Sequence, residues 1–294
     1  MTTAQPFRIG IIGAENSHAT RIATIINISG LAPGFAVTHI WGEKETFAVE
    51  TAKAGCIPTI VRDPAEMLGK IDGLMIDHRD GKYHLAAARP FVEAGIPVFV
   101  DKPFSTSLAE AREFLKWRRE KHGVVTTMST LPHQACAAMI KEKMKTIGKL
   151  RTVHFSGPGD SHSPWGGVWF YGIHQIELMV GLLGTDAKTV TATDDGGTFM
   201  GVIRYPEGVT ATMAMAGASS FSVTAIGTDG AFHVPFVSDS NSYLATTAIF
   251  TRMFTTREEP FDDVRMLAPI AIMEALSQAV ETGRQGVVSP VLPA

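Results

Sequence analysis

Over the first 130 residues, short apolar runs of β type alternate with amphipathic helical stretches. That alternation leaves a chain few choices: it specifies a parallel sheet with helices packed on its faces. The strand candidates are Phe7–Ile12, Ala36–Trp41, Gly73–Ile76, Ile96–Val100 and Val124–Met128. The helices between them have legible ends. Asp63-Pro64-Ala65-Glu66 places a capping carboxylate, a proline at the first helical position and an acid in the first turn, and Ser107-Leu108-Ala109-Glu110 has the form of a capping box. The helix opened by Ser107 sets Leu108, Ala111, Phe114 and Leu115 on one face and ends in a basic turn before Gly123.

Past a helix over about Gln134–Thr146 the pattern changes, and strands dominate: Leu150–Ser156, Thr189–Thr193, Thr198–Tyr205, Val209–Met215, Phe221–Ile226 and Ala231–Val237. Asp195-Gly196-Gly197, Pro206-Glu207-Gly208 and Thr228-Asp229-Gly230 join them with turn chemistry that favours antiparallel neighbours. Helical stretches at Val168–Leu183 and about Val264–Thr282 interrupt and close this sheet. The reading is an α/β chain. A doubly wound parallel sheet occupies 1–130, and an α+β domain on an open, mostly antiparallel sheet occupies 131–294.

Hydrophobic residues make up 45% of the 294 and charged residues 19%, a balance that supports two buried cores and argues against disorder. The 26 basic and 29 acidic residues nearly cancel, and the densest basic run, Lys-Trp-Arg-Arg-Glu-Lys at 116–121, alternates in sign as a solvated helix face does. No nucleic-acid partner is expected. Cys56 and Cys136 stand alone, without a CxxC or a histidine at ligand spacing, so neither a disulfide nor a metal is expected. The amino terminus lacks the pattern of a signal peptide, and the apolar runs fall short of the roughly 20 residues that cross a bilayer. The expected address is the cytoplasm, with no membrane partner.

Three segments carry chemistry. Gly10-Ile11-Ile12-Gly13-Ala14-Glu15-Asn16-Ser17-His18 runs from the first strand into a helix, where a dinucleotide pyrophosphate meets backbone amides. Of the G-x-G-x-x-G glycines only Gly13 is present; Glu15 and Ser17 are read in the other two places, with Asn16 and Ser17 offering side-chain donors instead. The second strand ends Ile40-Trp41-Gly42-Glu43 without an acid at its tip, and Glu43 reads as the start of the next helix. Finally, Val98-Phe99-Val100-Asp101-Lys102-Pro103 ends an apolar strand in charges at the sheet edge that faces ligand in doubly wound folds.

Together with Ile71-Asp72-Gly73, His84 and Ala94-Gly95, and with Gly166-Gly167 followed by Gly172-Ile173-His174-Gln175-Ile176-Glu177-Leu178, these segments resemble the glucose-fructose oxidoreductase, inositol dehydrogenase and MocA (Gfo/Idh/MocA) family. The resemblance spans nearly the whole chain in the right order. It implies a Rossmann domain that binds NAD or NADP, an open-sheet substrate and oligomerisation domain, and oxidation or reduction of CH–OH groups in sugars, inositols or related polyols. It assigns Lys102 to substrate and nicotinamide and His174 to proton transfer, in a cleft between them. A histidine with a near-neutral pKa suits removal of a hydroxyl proton, and an ammonium suits the developing alkoxide.

The family places an aspartate four residues before that histidine; Phe170 stands there, and Tyr171 is the expected stand-in phenol. Expected cofactor contacts are Gly13, Ala14, Glu15, Asn16, Ser17, His18, Trp41, Asp77, His78, Arg79 and Lys102. Expected substrate contacts are Asp160, His162 and Trp165, in a Gly- and Pro-rich loop that equally reads as self-anchored by its aromatics. His133, just past the expected boundary, is a further candidate for lining the cleft between the domains. A homodimer or homotetramer is expected, since an open sheet face calls for cover. Two other functions fit the departures from the family pattern. One is redox-neutral lyase, epimerase or hydrolase chemistry using NAD; the other is a cofactor-free sugar-binding or regulatory protein on the same scaffold.

Overall fold

The structure is a computed structural model that describes residues 5–217 and 220–291. The chain divides into two compact units. The first runs to Ser105, resumes over Ala109–Met128 and is completed by Tyr243–Asp262; the second holds Thr106–Leu108, Ser129–Ser242 and the chain from Asp263 on.

In the first unit, β1 (Phe7–Ile12), β2 (Phe35–Trp41), β3 (Thr59–Ile60), β4 (Gly73–Ile76), β5 (Val98–Val100) and β6 (Val125–Thr127) form one parallel sheet in the order β3-β2-β1-β4-β5-β6. Every residue of β4, β5 and β6 is buried, as expected of a parallel sheet covered on both faces. Helices α1 (Ser17–Ala23), α2 (Glu45–Gly55), α3 (His84–Glu93) and α4 (Leu108–Glu120) connect these strands. The strand order reverses between β1 and β4, and a doubly wound sheet opens its ligand crevice at the strand ends there. The Asp63 turn folds as read: Asp63 accepts from Ala65 N, and Glu66 reaches back to the Asp63 amide in a capping box.

Tyr243–Asp262 lies beyond residue 130, yet it packs in the first unit. Within it α7 (Leu244–Thr256) puts Phe250, Met253 and Phe254 into a core with Ile9, Ile11, Met75 and Phe99. The Phe99 and Phe250 rings stack at 4.6 Å, and Phe254 stacks on Phe7 at 5.8 Å. Sequence reading passes over this helix because Leu-Ala-Thr-Thr-Ala-Ile-Phe-Thr-Arg-Met-Phe-Thr-Thr is crowded with β-branched threonines, poor helix formers. The helix accommodates them by turning their hydroxyls onto its own carbonyls: Thr251 donates to Thr247 O at 2.7 Å and Thr256 to Arg252 O at 3.0 Å. Further along, Arg118 on α4 donates to both carboxylate oxygens of Glu259, at 2.7 and 2.6 Å, and Glu259 also accepts from Val125 N on β6.

The second unit is built on β7 (Leu150–Gly157), β8 (Thr189–Asp194), β9 (Phe199–Arg204), β10 (Thr210–Met215), β11 (Ser222–Gly227), β12 (Ala231–Pro235) and β13 (Gly286–Val287), in the order β12-β11-β7-β10-β9-β8-β13. Only the β7–β10 pair is parallel. Period-two alternation sends Val153, Phe155, Val190, Ile203, Ala211, Met213 and Val223 inward. The other face carries a cross-strand row in which Thr212 meets His154 Nδ1 at 2.8 Å and Thr224 meets His233 Nδ1 at 2.9 Å. Helices α5 (Ala135–Met144), α6 (Trp169–Leu183) and α8 (Asp263–Thr282) complete the unit, with α8 packed on β8 and α6. No helix among the described residues is long and apolar enough to cross a membrane.

Candidate active site

The turn after β1 is shaped by what lies under it. Gly13 has φ +107°, and a Cβ there would sit 2.4 Å from the Asp77 carbonyl carbon and 2.5 Å from the His78 amide nitrogen. Only glycine fits. Counted from Gly13, the second glycine place of the pattern falls on Glu15 and the third on His18, not Ser17, whose side chain is exposed. The acid of the second strand is present, one position past Gly42. Glu43 does not start α2, which begins at Glu45; its Oε2 accepts from Ala14 N at 2.9 Å and Glu15 N at 3.1 Å. The signal for this role was an acid two residues beyond the strand end.

Trp41, at the end of β2, donates its indole N–H to Arg62 O, and its ring lies 5.8 Å from that of His78. Together with Gly42, Glu45, Ala48, Ile60, Val61 and Arg62 it lines a cavity of about 480 Å³. Asp77 and His78 follow β4 directly and are buried; Arg79, next along, is half-buried. Burial pushes the His78 imidazole down to about 4, with the neighbouring His84 adding to the effect, so it is neutral near pH 7.

Asp101 and Lys102 end β5 and are almost fully buried. Lys102 Nζ lies 3.3 Å from Asp101 Oδ2. The Asp101 carboxylate also meets His18 Nδ1 at 3.0 Å and accepts from Asn16 Nδ2 at 3.1 Å. Burial alone would raise the Asp101 carboxyl, but the His18 and Lys102 charges hold it well below the usual carboxylate range. Behind this strand end His84, fully buried, bridges the carbonyl oxygens of His78 and Pro103 and so fixes the loop that carries Lys102. Tyr243 from the returning segment packs edge-on against His18 at 4.9 Å.

In the second unit, α6 carries the other expected group. His174 is 9% exposed, and its Nδ1 lies 2.7 Å from Ser129 Oγ, a buried hydroxyl that also accepts from Leu131 N. Nothing in the sequence marks Ser129. The Tyr171 ring lies 5.7 Å from His174 and Tyr171 is 38% exposed. Phe170 packs against Trp165 at 5.4 Å and Tyr171 at 5.1 Å. Glu177 turns away to Arg265 at 2.7 Å; burial raises its carboxyl in spite of that partner. In the loop before α6, Asp160 accepts from His162 N at 2.8 Å, and both residues are exposed. Burial, with Arg265 nearby, pushes His133 down to about 4.

A six-stranded parallel sheet in this order, with a glycine-bounded first turn backed by an acid after β2, defines an NAD-binding Rossmann domain. Residues 7–129 match the model of the GFO_IDH_MocA family, described as an oxidoreductase family with an NAD-binding Rossmann fold, and over that segment the chain is similar to the family. Among solved structures, a myo-inositol dehydrogenase from Corynebacterium glutamicum is similar at a TM-score of 0.80 and 17% identity, covering 97% of this chain and 100% of that one. A scyllo-inositol dehydrogenase from Lactobacillus casei, with bound cofactor NAD(H) and scyllo-inositol, is similar at a TM-score of 0.82 and 14% identity, over 97% of this chain and 100% of the other. At such identities the likeness is one of fold. No curated protein matches the chain.

Proposed function

We propose that the protein transfers hydride between NAD and a hydroxyl-bearing carbon of a sugar, inositol or related polyol, with Lys102 and His174 handling charge and proton. The observation that carries this reading is the fixing of His174. In the tautomer that donates Nδ1–H to Ser129 Oγ, Nε2 is the basic ring nitrogen and the one that takes a hydroxyl proton. Lys102, steadied by Asp101, supplies the positive charge that an alkoxide needs. Tyr171 offers a phenol to a substrate oxygen, and Trp165, Asp160 and His162 are the proposed sugar contacts. NAD(H) bound to the relative from Lactobacillus casei supports the cofactor class.

The residues of the first turn fit a dinucleotide. Gly13 lets the turn after β1 pack directly on the backbone of Asp77 and His78 at the strand ends where a pyrophosphate crosses, and the cavity beside Trp41 and Arg62 has room for an adenosine. When bound, the nicotinamide accepts or returns the hydride. Glu43, seated on the Ala14 and Glu15 amides, is the acid that takes the ribose hydroxyls, and its charge repels a 2′-phosphate; the reading is therefore NAD, not NADP.

A second reading rests on Phe170, which fills the place of a family aspartate with an aromatic contact. There, transient oxidation serves elimination or epimerisation without net turnover of the cofactor. One experiment addresses both readings: purified protein is titrated with NADH and then assayed with NAD⁺ on inositols, aldoses and sugar acids by absorbance and product analysis. Hydride transfer predicts stoichiometric NADH formation that falls about 10²–10⁴-fold in Lys102→Ala and His174→Ala. Product without NADH favours the second reading, and failure to bind NADH rejects both.

A further inference from the structure

The carboxyl ends of β1, β4 and β5 converge on a set of polar atoms of which the proposed proton transfer uses Asp101 alone, as the partner of Lys102. His18 Nδ1 is 3.0 Å from Asp101 Oδ2 and 4.0 Å from Asp77 Oδ1. The side-chain amide of Asn16 lies 3.0 Å from that same Asp77 oxygen and 3.1 Å from that same Asp101 oxygen. One donor atom from each of His18, Asp77 and Asp101 fits within 4.8 Å. Around an ion with bonds of about 2.1 Å, neighbouring donors of an octahedron lie about 3 Å apart and opposite ones about 4.2 Å. The measured separations are those of such a shell.

A second observation points the same way. Asp77 is wholly buried, and its Oδ2 accepts no hydrogen bond among the described residues. A bare carboxylate oxygen beside a second buried carboxylate is costly without a positive charge at hand. Lys102 meets Asp101 at the same Oδ2, from 3.3 Å, while Asp101 Oδ1 also lies within reach of His18 Nδ1, at 3.1 Å, so the carboxylate can serve the ammonium through one oxygen and a second cation through the other. Turning the Asn16 amide by half a turn brings its carbonyl oxygen to the position of its nitrogen, with no other movement.

We propose that His18, Asp77, Asp101 and the side-chain carbonyl of Asn16 bind one divalent cation of the manganese class. One imidazole with three oxygens is a mixed donor set that suits Mn²⁺ better than the softer, thiolate-seeking ions, and better than Mg²⁺, which prefers oxygen alone. The ion ties the turn after β1 to the strand end that carries Lys102, and its binding does not depend on the substrate or on hydride transfer.

The test uses the full chain, stripped with EDTA and titrated with MnCl₂ while free Mn²⁺ is followed by electron paramagnetic resonance. One ion per chain is expected, with affinity at least tenfold weaker in His18→Ala and in Asp77→Asn, both checked for fold by circular dichroism. The wild-type protein supplies a readout independent of the folding of either variant: electron–nuclear double resonance should show one nitrogen coupling that changes on ¹⁵N-histidine labelling. Absence of binding at about 1 mM Mn²⁺, the weak end of protein cation sites, overturns the proposal and leaves the two carboxyls sharing a proton. Binding that survives in both folded variants, or that lacks the histidine coupling, overturns it as well.

Discussion

Replacing Gly13 by alanine puts a methyl group where the backbone of residues 77 and 78 already lies, 2.4–2.6 Å from Asp77 C, Asp77 O and His78 N. These neighbours cannot swing aside, because Asp77 N donates to Ile12 O at 2.7 Å and pins them to β1. Two costs combine. An L-residue held at φ +107° costs about 1–3 kcal/mol in backbone strain, and overpacking costs about 1–3 kcal/mol more, so the whole comes to about 4 kcal/mol. Gly30 isolates the first cost: at φ +63°, a Cβ there meets nothing within 4 Å, and Gly30→Ala is expected to lose only about 1–2 kcal/mol. At about 2–4 °C per kcal/mol for a unit of this size, Gly13→Ala should melt about 8–16 °C below wild type and Gly30→Ala about 2–8 °C below. Thermal unfolding followed by circular dichroism at matched concentration measures both. Equal melting temperatures for the two variants would refute the claim that contact with residues 77–78 makes Gly13 obligatory.

Three further outcomes are expected. Nicotinamide fluorescence titrations should give NADH at least tenfold tighter binding than NADPH, with Glu43→Ser bringing the two closer together by relieving repulsion of the 2′-phosphate. Glu259→Ala strips Arg118, whose side chain is 7% exposed, of a bidentate partner. It should cost about 3–5 kcal/mol, read as a lowered urea midpoint. His133 is held at about 4 in the folded protein and returns to 6.5 on unfolding. The stability it confers is therefore complete above pH 6.5 and is lost as pH falls towards 4. At about 1.4 kcal/mol per pH unit that makes about 3 kcal/mol, and urea unfolding of His133→Gln should show a shallower fall over this interval.

The elements that the sequence displays most clearly are those whose periodicity is set by burial alone. β1 and β4 lie where their apolar runs do, and β7 to β12 lie within a residue or two of theirs, because alternation and Gly-containing turns mark both strand and end. α7 is hidden, since its threonines are satisfied by hydrogen bonds that exist only once the helix has formed. The site divides in the same way. Lys102 and His174 stand out in local patterns, but Ser129 on His174 and the meeting of His18, Asp77 and Asp101 arise from strand order, which joins residues 59 and 83 positions apart. No spacing rule reaches that far. Glu43 is an intermediate case, visible as an acid but aimed at Ala14 and Glu15 by a turn whose geometry is set by Gly13.

The return of Tyr243–Asp262 bears on how this protein can be made. During synthesis the strands of the first sheet leave the ribosome early, but Phe250 and Phe254, which cover Phe99 and Phe7, follow only after the 114 residues of Ser129–Ser242. At about 5–20 residues per second that is a wait of roughly 5–20 s with aromatic surface uncovered, an interval in which a nascent chain is open to chaperones and to aggregation. The nucleotide-binding half is thus not a cassette that can be cut out at residue 130 or passed whole to another protein: its last structural piece is written only after the stretch that builds the other unit.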